Sequence, residues 1–211
     1  MNIGRIIESA SCVAEGADWL AAREPRFAEA FELCGPLTLR RRPDGFEAPL
    51  SAIVGQQVSI ASAAAIWKRL DEAGLTDADA VAAAAPESLR AAGLSRPKIA
   101  YAQGLARSGV DFVGLRTRPD EEVIATLTAI KGIGVWTAEI YAMFALGRAD
   151  VFAAGDLALQ EAARVLFELP ERLSPSQLRT MALDWSLWGG AVAARLLWAY
   201  YRAIKQREGI R

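Results

Sequence analysis

The chain predicts an all-α protein, a compact bundle of about ten helices in two subdomains, on three grounds. Alanine, the residue of highest intrinsic helix propensity, fills about a fifth of the 211 positions. Apolar residues recur at helical spacing in segment after segment, with Gly or Pro between the segments. Strand-like alternation is brief and confined to about Leu37–Arg42.

The first helix is expected over Ile3–Arg23 and the second from Pro25, a favourable first-turn residue, to Cys34, where Gly35 and Pro36 stop it. Residues 37–49 read as a loop with a Pro43-Asp44-Gly45 turn, and Arg40, Arg41 and Arg42 there are either a solvated run or a phosphate-facing one. Apolar spacing predicts a helix over Leu50–Ala73, ended by Gly74. Asp77–Ala84, a turn begun by Pro86, and Pro97–Ser108 follow as shorter helices. Acids after Pro119 favour a helix start, giving Asp120–Ile130. Beyond a turn at Lys131–Gly134 come Val135–Leu146, Leu157–Phe167, Ser174–Asp184 with a Ser174/Gln177 capping box, and Gly190–Lys205. No repeat, linker or composition break divides the 211 residues, so one domain is expected, residues 1–45 packing back as N-terminal helices and a loop.

Composition removes several chemistries. With 53% hydrophobic and 23% charged residues the chain can bury a core and is not of the disordered type. It has no histidine, which excludes Ser/His/Asp and Cys/His catalysis, a histidine base and His-ligated zinc. Cys12 and Cys34 are too few for an iron-sulfur cluster or an all-cysteine zinc site, and are expected reduced in a cytoplasmic protein. Charges among the first eight residues argue against a signal peptide, and no apolar run reaches the roughly 18 residues a membrane span needs. The net charge of -1 speaks, on its face, against nucleic acid as a partner.

Residues 127–138, Leu-Thr-Ala-Ile-Lys-Gly-Ile-Gly-Val-Trp-Thr-Ala, reverse that inference. An apolar helix end runs into a short turn with Gly132 and Gly134 at alternate positions, and a new helix starts at once. Such a turn collects outward N–H groups, which makes an anion site suited to a DNA phosphate. A bare Gly-x-Gly between helices is equally a tight bend with no ligand. The whole pattern, flanked by helices, resembles the helix-hairpin-helix motif of DNA repair proteins, in which hairpin carbonyls hold a monovalent cation. By position these are those of Thr128, Ile130 and Ile133, for Na or K, and no other cofactor is required. Lys131 stands where the family often has proline and adds a phosphate contact.

Asp156 follows Gly155 at the start of an apolar-periodic helix, 20 residues after Trp136. Alone, it reads as an N-cap. Paired with the hairpin at this distance, it resembles the catalytic aspartate of the helix-hairpin-helix glycosylase superfamily, and the flanking Val151-Phe152 matches the 3-methyladenine DNA glycosylase II (AlkA-type) branch. The two roles are compatible in one side chain. Breaking a base–sugar bond builds oxocarbenium character at C1′, which a carboxylate stabilises. An alkylated purine already carries positive charge and leaves as a neutral base, so no general acid is needed.

The resemblance extends over about Pro49–Tyr201. It implies a loop at Gly55-Gln56-Gln57-Val58-Ser59 that enters the minor groove, Gln57 filling the gap left by a flipped nucleotide beside Gln56. It implies a DNA role for Lys98 in Leu94-Ser95-Arg96-Pro97-Lys98, although a solvated helix charge is the plainer reading. Of the six tryptophans, Trp136 and Trp198 match aromatic residues of the family's base pocket, whose indole faces attract a cationic base. Ile140 replaces a tyrosine there, leaving the lesion range open. Bifunctional relatives carry a Schiff-base lysine at the position of Trp136, so a monofunctional enzyme is expected. The resemblance further implies an active-site cleft between the subdomains, double-stranded DNA as partner and a monomer. A non-catalytic DNA-binding module, a glycosylase for hypoxanthine, uracil or oxidised purine, and a helical interaction protein remain alternatives. With so little net charge, DNA attraction is expected from the hairpin amides, Lys131, Lys98, Arg40–Arg42 or Arg148, with a salt slope of only a few phosphates.

Overall fold

A computed structural model describes residues 3–207. Among these it has thirteen α-helices and no strand: α1 Ala10–Arg23, α2 Pro25–Cys34, α3 Glu47–Gly55, α4 Ile60–Glu72, α5 Ala78–Ala83, α6 Pro86–Ala91, α7 Arg96–Ala106, α8 Phe112–Leu115, α9 Asp120–Thr128, α10 Val135–Tyr141, α11 Leu157–Leu166, α12 Pro175–Ala182 and α13 Gly189–Arg207. The all-α class therefore holds. No described helix is long and apolar enough to cross a membrane.

Four departures have local causes. Helix α1 starts at Ala10 rather than Ile3, because Ser9 caps it, accepting from the Cys12 amide. The preceding residues run extended instead: Ile6 bridges Arg148, the Ile7 amide donates to Gly147 O at 2.7 Å, and the Ala149 amide to Arg5 O at 3.0 Å. The helix expected over Leu50–Ala73 is two, broken at Gln56, with Ser59 capping α4. The short α8, missed in the sequence, begins at Asp111, whose carboxylate accepts from the Gly114 amide at 2.9 Å. Finally, the helix from Val135 widens into a π-helical turn at Ala142–Leu146. Residues 37–42 form no strand.

The chain divides into two compact units, one of residues 42–141 and one of residues 3–41 with 142–207. The first unit holds α3–α10. Its core takes Leu50, Ile53 and Val54 from α3, Ile66 and Leu70 from α4, Ile99 and Ala102 from α7, and Val123 and Leu127 from α9, all buried. Asp44 is its polar pin, accepting from the Tyr141 hydroxyl and from Arg116 Nε at 2.6 Å. Burial, reinforced by the Asp44 carboxylate, pushes the Tyr141 phenol well above its usual range, so it stays a hydrogen-bond donor.

The second unit packs α13 against α1, α2 and α11. Trp185 is its hub: Phe27 and Phe152 meet it edge-on at 5.1 and 5.5 Å between centroids, and Phe167 stacks on it at 5.9 Å. Arg148 is fully buried and donates to Ile3 O at 2.8 Å, and Arg41 donates to Ile7 O and Ala145 O, both at 3.0 Å. Arg148 is thus a strut inside the unit rather than a surface charge, and Arg41 holds the extended N-terminal segment. Gly190 lies hard against backbone: a Cβ there would meet Asp150 C at 2.5 Å and Val151 O at 2.8 Å. Backbone cannot yield as a flexible side chain can. Gly190→Ala is expected to cost about 3 kcal/mol or more, lowering Tm by roughly 6–12 °C in a thermal melt.

Candidate active site and nucleic-acid interface

In the first unit, α9 ends at Thr128 and α10 begins at Val135. Between them Ile130 and Ile133 bury their side chains, anchoring the turn, and the Ile133 amide donates to Ile130 O at 3.0 Å. Lys131, Gly134 and Val135 face outward. Gly132 has φ +98°, in the left-handed region, and Tyr101 of α7 lies directly over it: a Cβ would meet Tyr101 Cβ at 2.7 Å. Gly134 has open space around its Cα. The expected helix-hairpin-helix is therefore formed, with Gly132 packed inward and Gly134 presented outward.

The carbonyls of Thr128 and Ile133 enter no backbone hydrogen bond among the described residues, while that of Ile130 accepts one. A carbonyl has two lone pairs, so all three can still donate electron density to a hard cation. Neutral carbonyl oxygens are the donor type that such a cation takes.

The polar break between α3 and α4 leans on the same hairpin. Gln56 Nε2 donates to Gly132 O at 2.8 Å. Gln57, exposed, takes φ +54°, a conformation uncommon for a residue with a Cβ. Val58 and Ile60 beside it are 39% and 92% exposed, an apolar rim that the sequence reading did not single out. Ile60 occupies the first turn of α4, where spacing alone cannot tell a solvent-facing apolar residue from a core one.

Lys98 departs from expectation. It is 8% exposed, and its ammonium donates to Val54 O, near the end of α3, at 2.7 Å. Burial pulls its pKa below the usual lysine range. The Leu94–Tyr101 segment thus braces α3 and the hairpin, Lys98 holding α3 and Tyr101 covering Gly132. Lys98→Met leaves a buried carbonyl without its donor, at an expected cost of about 1–3 kcal/mol in a chemical melt. The DNA salt slope should not move, and a slope reduced by about one would return Lys98 to the phosphates.

Trp136, on the outer face of α10, is 46% exposed, and Ile140 one turn on is buried at 7%. No lysine stands at the hairpin tryptophan's position, and Lys131 lies five residues earlier in the bend.

In the second unit, Asp156 caps α11. Its Oδ1 accepts from the amides of Ala158 at 2.9 Å and Leu159 at 3.1 Å. The approach to the cap is fixed: the Asp156 amide donates to Ala153 O at 2.9 Å, and buried Gln160 ties back to Ala154 O at 2.9 Å. Asp156 is partly exposed, and Leu157 beside it is 63% exposed. A carboxylate held this way keeps one oxygen engaged by backbone and is oriented without a histidine or a second acid. Trp198 of α13 is half-buried, its ring 5.8 Å from Phe144.

Helices alone, a Gly-x-Gly hairpin and a backbone-held aspartate at a helix start define a class. Residues 50–188 match the HhH-GPD superfamily of base excision DNA repair proteins, and the chain belongs to that family. Within it, the chain is 33% identical to a DNA-3-methyladenine glycosidase from Bacillus halodurans, whose crystal structure superposes with a TM-score of 0.81 over 96% of this chain and 94% of that one. A Schizosaccharomyces pombe 3-methyladenine DNA glycosylase solved in complex with abasic DNA is 26% identical, with a TM-score of 0.74 over 87% of this chain and 95% of that one. DNA-3-methyladenine glycosylase 2 of Escherichia coli is 30% identical over 159 residues, 69% of this chain. The chain spans 54% of that relative's own length.

Proposed function

We propose that the protein is a monofunctional DNA glycosylase that removes alkylated purines of the 3-methyladenine and 7-methylguanine type from duplex DNA. The observation that carries this reading is Asp156, a carboxylate fixed by two backbone amides at the head of α11 in a chain that also forms the hairpin. The relatives named as 3-methyladenine glycosylases support the substrate class.

In this reading the N-glycosidic bond of a flipped nucleotide breaks with its electron pair going to the base, which leaves neutral because alkylation had already made it cationic. Asp156 stabilises the positive charge developing at C1′ and orients the water whose oxygen then bonds to C1′, the surplus proton passing to solvent. Trp136, with Trp198 and Ile140, contacts the base, its indole face favouring a cation. Gln57 occupies the gap left by the flipped nucleotide, with Gln56 bracing the loop on the hairpin. The amides around Gly132 and Gly134, with Lys131, hold a phosphate. The Thr128, Ile130 and Ile133 carbonyls would hold a monovalent cation, which would add positive charge at the hairpin.

Incubation with methylated duplex DNA tests the activity: free 3-methyladenine and 7-methylguanine should appear in the supernatant, and no release above a protein-free blank sinks the reading. Single-lesion duplexes carrying hypoxanthine, uracil or 8-oxoguanine rank the substrates. Borohydride reduction during turnover should trap no protein–DNA adduct, since Trp136 offers no amine to attack C1′. A covalent adduct would overturn the monofunctional assignment.

A further inference from the structure

Arg195 is a buried cation without a carboxylate. It lies in the middle of α13, 5% exposed, and its guanidinium donates to two carbonyls, Ala191 O at 3.0 Å and Arg40 O at 3.3 Å. Its carbon sits 4.8 Å from the Phe144 ring centroid. Among the described residues its Nε has no hydrogen-bond partner. The charges nearest to it are alike: burial first, then Arg40 and Arg41, pull its pKa down to about 10. A guanidinium presents five N–H donors, and a buried charge with like charges around it calls for an anion.

Space for one lies beside it. Arg195, Arg40 and Arg202 line a pocket of about 100 Å³ together with Thr38 and Cys34, and no acidic residue is in the lining. None of the three arginines pairs with a carboxylate among the described residues. The volume suits a small polyatomic ion, being about three times a water's share of the liquid. Three guanidiniums and a hydroxyl offer the planar donor forks that oxyanions accept. In a chain of net charge -1, this is a local concentration of positive charge that no ion pair neutralises.

We propose that this pocket is a binding site for a tetrahedral oxyanion, a phosphate that is either free or part of a nucleic-acid backbone. The site lies wholly within the second unit and does not depend on the glycosylase reading.

Two measurements on the full chain test it, each on wild type and on Arg40→Gln/Arg202→Gln, both of whose positions are exposed. The first is thermal melting with inorganic phosphate against chloride at constant ionic strength. At about tenfold over its Kd, phosphate should raise the wild-type Tm by roughly 3–5 °C and leave the variant unmoved. The second is the salt dependence of binding to an undamaged duplex, where loss of a backbone phosphate lowers the slope by about one. Loss of the phosphate effect with an unchanged DNA slope identifies free phosphate as the ligand. A lowered slope identifies the DNA backbone. If both readouts are the same in wild type and variant, the proposal is overturned. Arg195→Met probes the buried member: where it folds, by circular dichroism, it should lose the same effect.

Discussion

Replacing Asp156 with Asn is expected to lower base release by about 10²–10³-fold or more while the protein melts within about 0.5 kcal/mol of wild type. On the proposed function, the two halves of that result come from two roles of one side chain. As a cap, Asp156 needs only an oxygen that accepts from Ala158 and Leu159, and an asparagine carbonyl serves as well. As an electrostatic partner of C1′ it needs the negative charge, which the amide lacks. Single-turnover release from methylated DNA and a thermal melt on the same preparation separate the roles. A variant that retains full activity would reduce Asp156 to a cap, and one that loses activity only by unfolding would leave the charge unassigned. Asp156→Ala, lacking both, should lose about 1 kcal/mol of stability besides.

The second large effect lies in the hairpin, where its two glycines should fail in different ways. Gly132→Ala places a Cβ on a left-handed residue and against the Tyr101 ring root, so about 2–5 kcal/mol of stability should go, roughly 4–20 °C in Tm. Gly134→Ala meets nothing within 4 Å and should melt close to wild type. On the proposed function its methyl would stand where a phosphate approaches the turn, so its affinity for duplex DNA should fall by about tenfold, measured by anisotropy. Equal melting temperatures for the two variants would contradict the packing described for Gly132. Unchanged DNA affinity in Gly134→Ala would remove the hairpin from the DNA interface.

Much of this architecture was legible in the residues. Helix class followed from alanine content and spacing, and the hairpin from glycines between two apolar helices, because those signals are local. Asp156 could be read as a cap for the same reason. What escaped was set by partners far along the chain. Lys98 has the look of a surface lysine, and only the Val54 carbonyl, 44 positions away, turns it inward. Arg148 and Arg41 read as available charge, yet both hold the extended N-terminal segment. Gln56 has the look of a DNA-facing loop residue, and its tie to Gly132 O spans 76 positions that no periodicity encodes. The break between α3 and α4 was visible as polar residues, but apolar spacing on both sides concealed that it ends one helix and starts another.

The first unit is one unbroken stretch of chain, residues 42–141, whereas the second is assembled from two stretches on either side of it. During synthesis the order of emergence therefore differs from the order of completion. Every residue of the first unit has left the ribosome before α13 exists, so that unit has all its partners early and its contacts close short loops. Helices α1 and α2 emerge before the first unit and must wait for α11 and α13, a delay of more than a hundred residues, with Phe27 and Leu20 uncovered in the meantime. At about 5–20 residues per second the wait lasts roughly 6–30 seconds. The apolar faces of α1 and α2 therefore stay uncovered longer than those of any helix in the first unit.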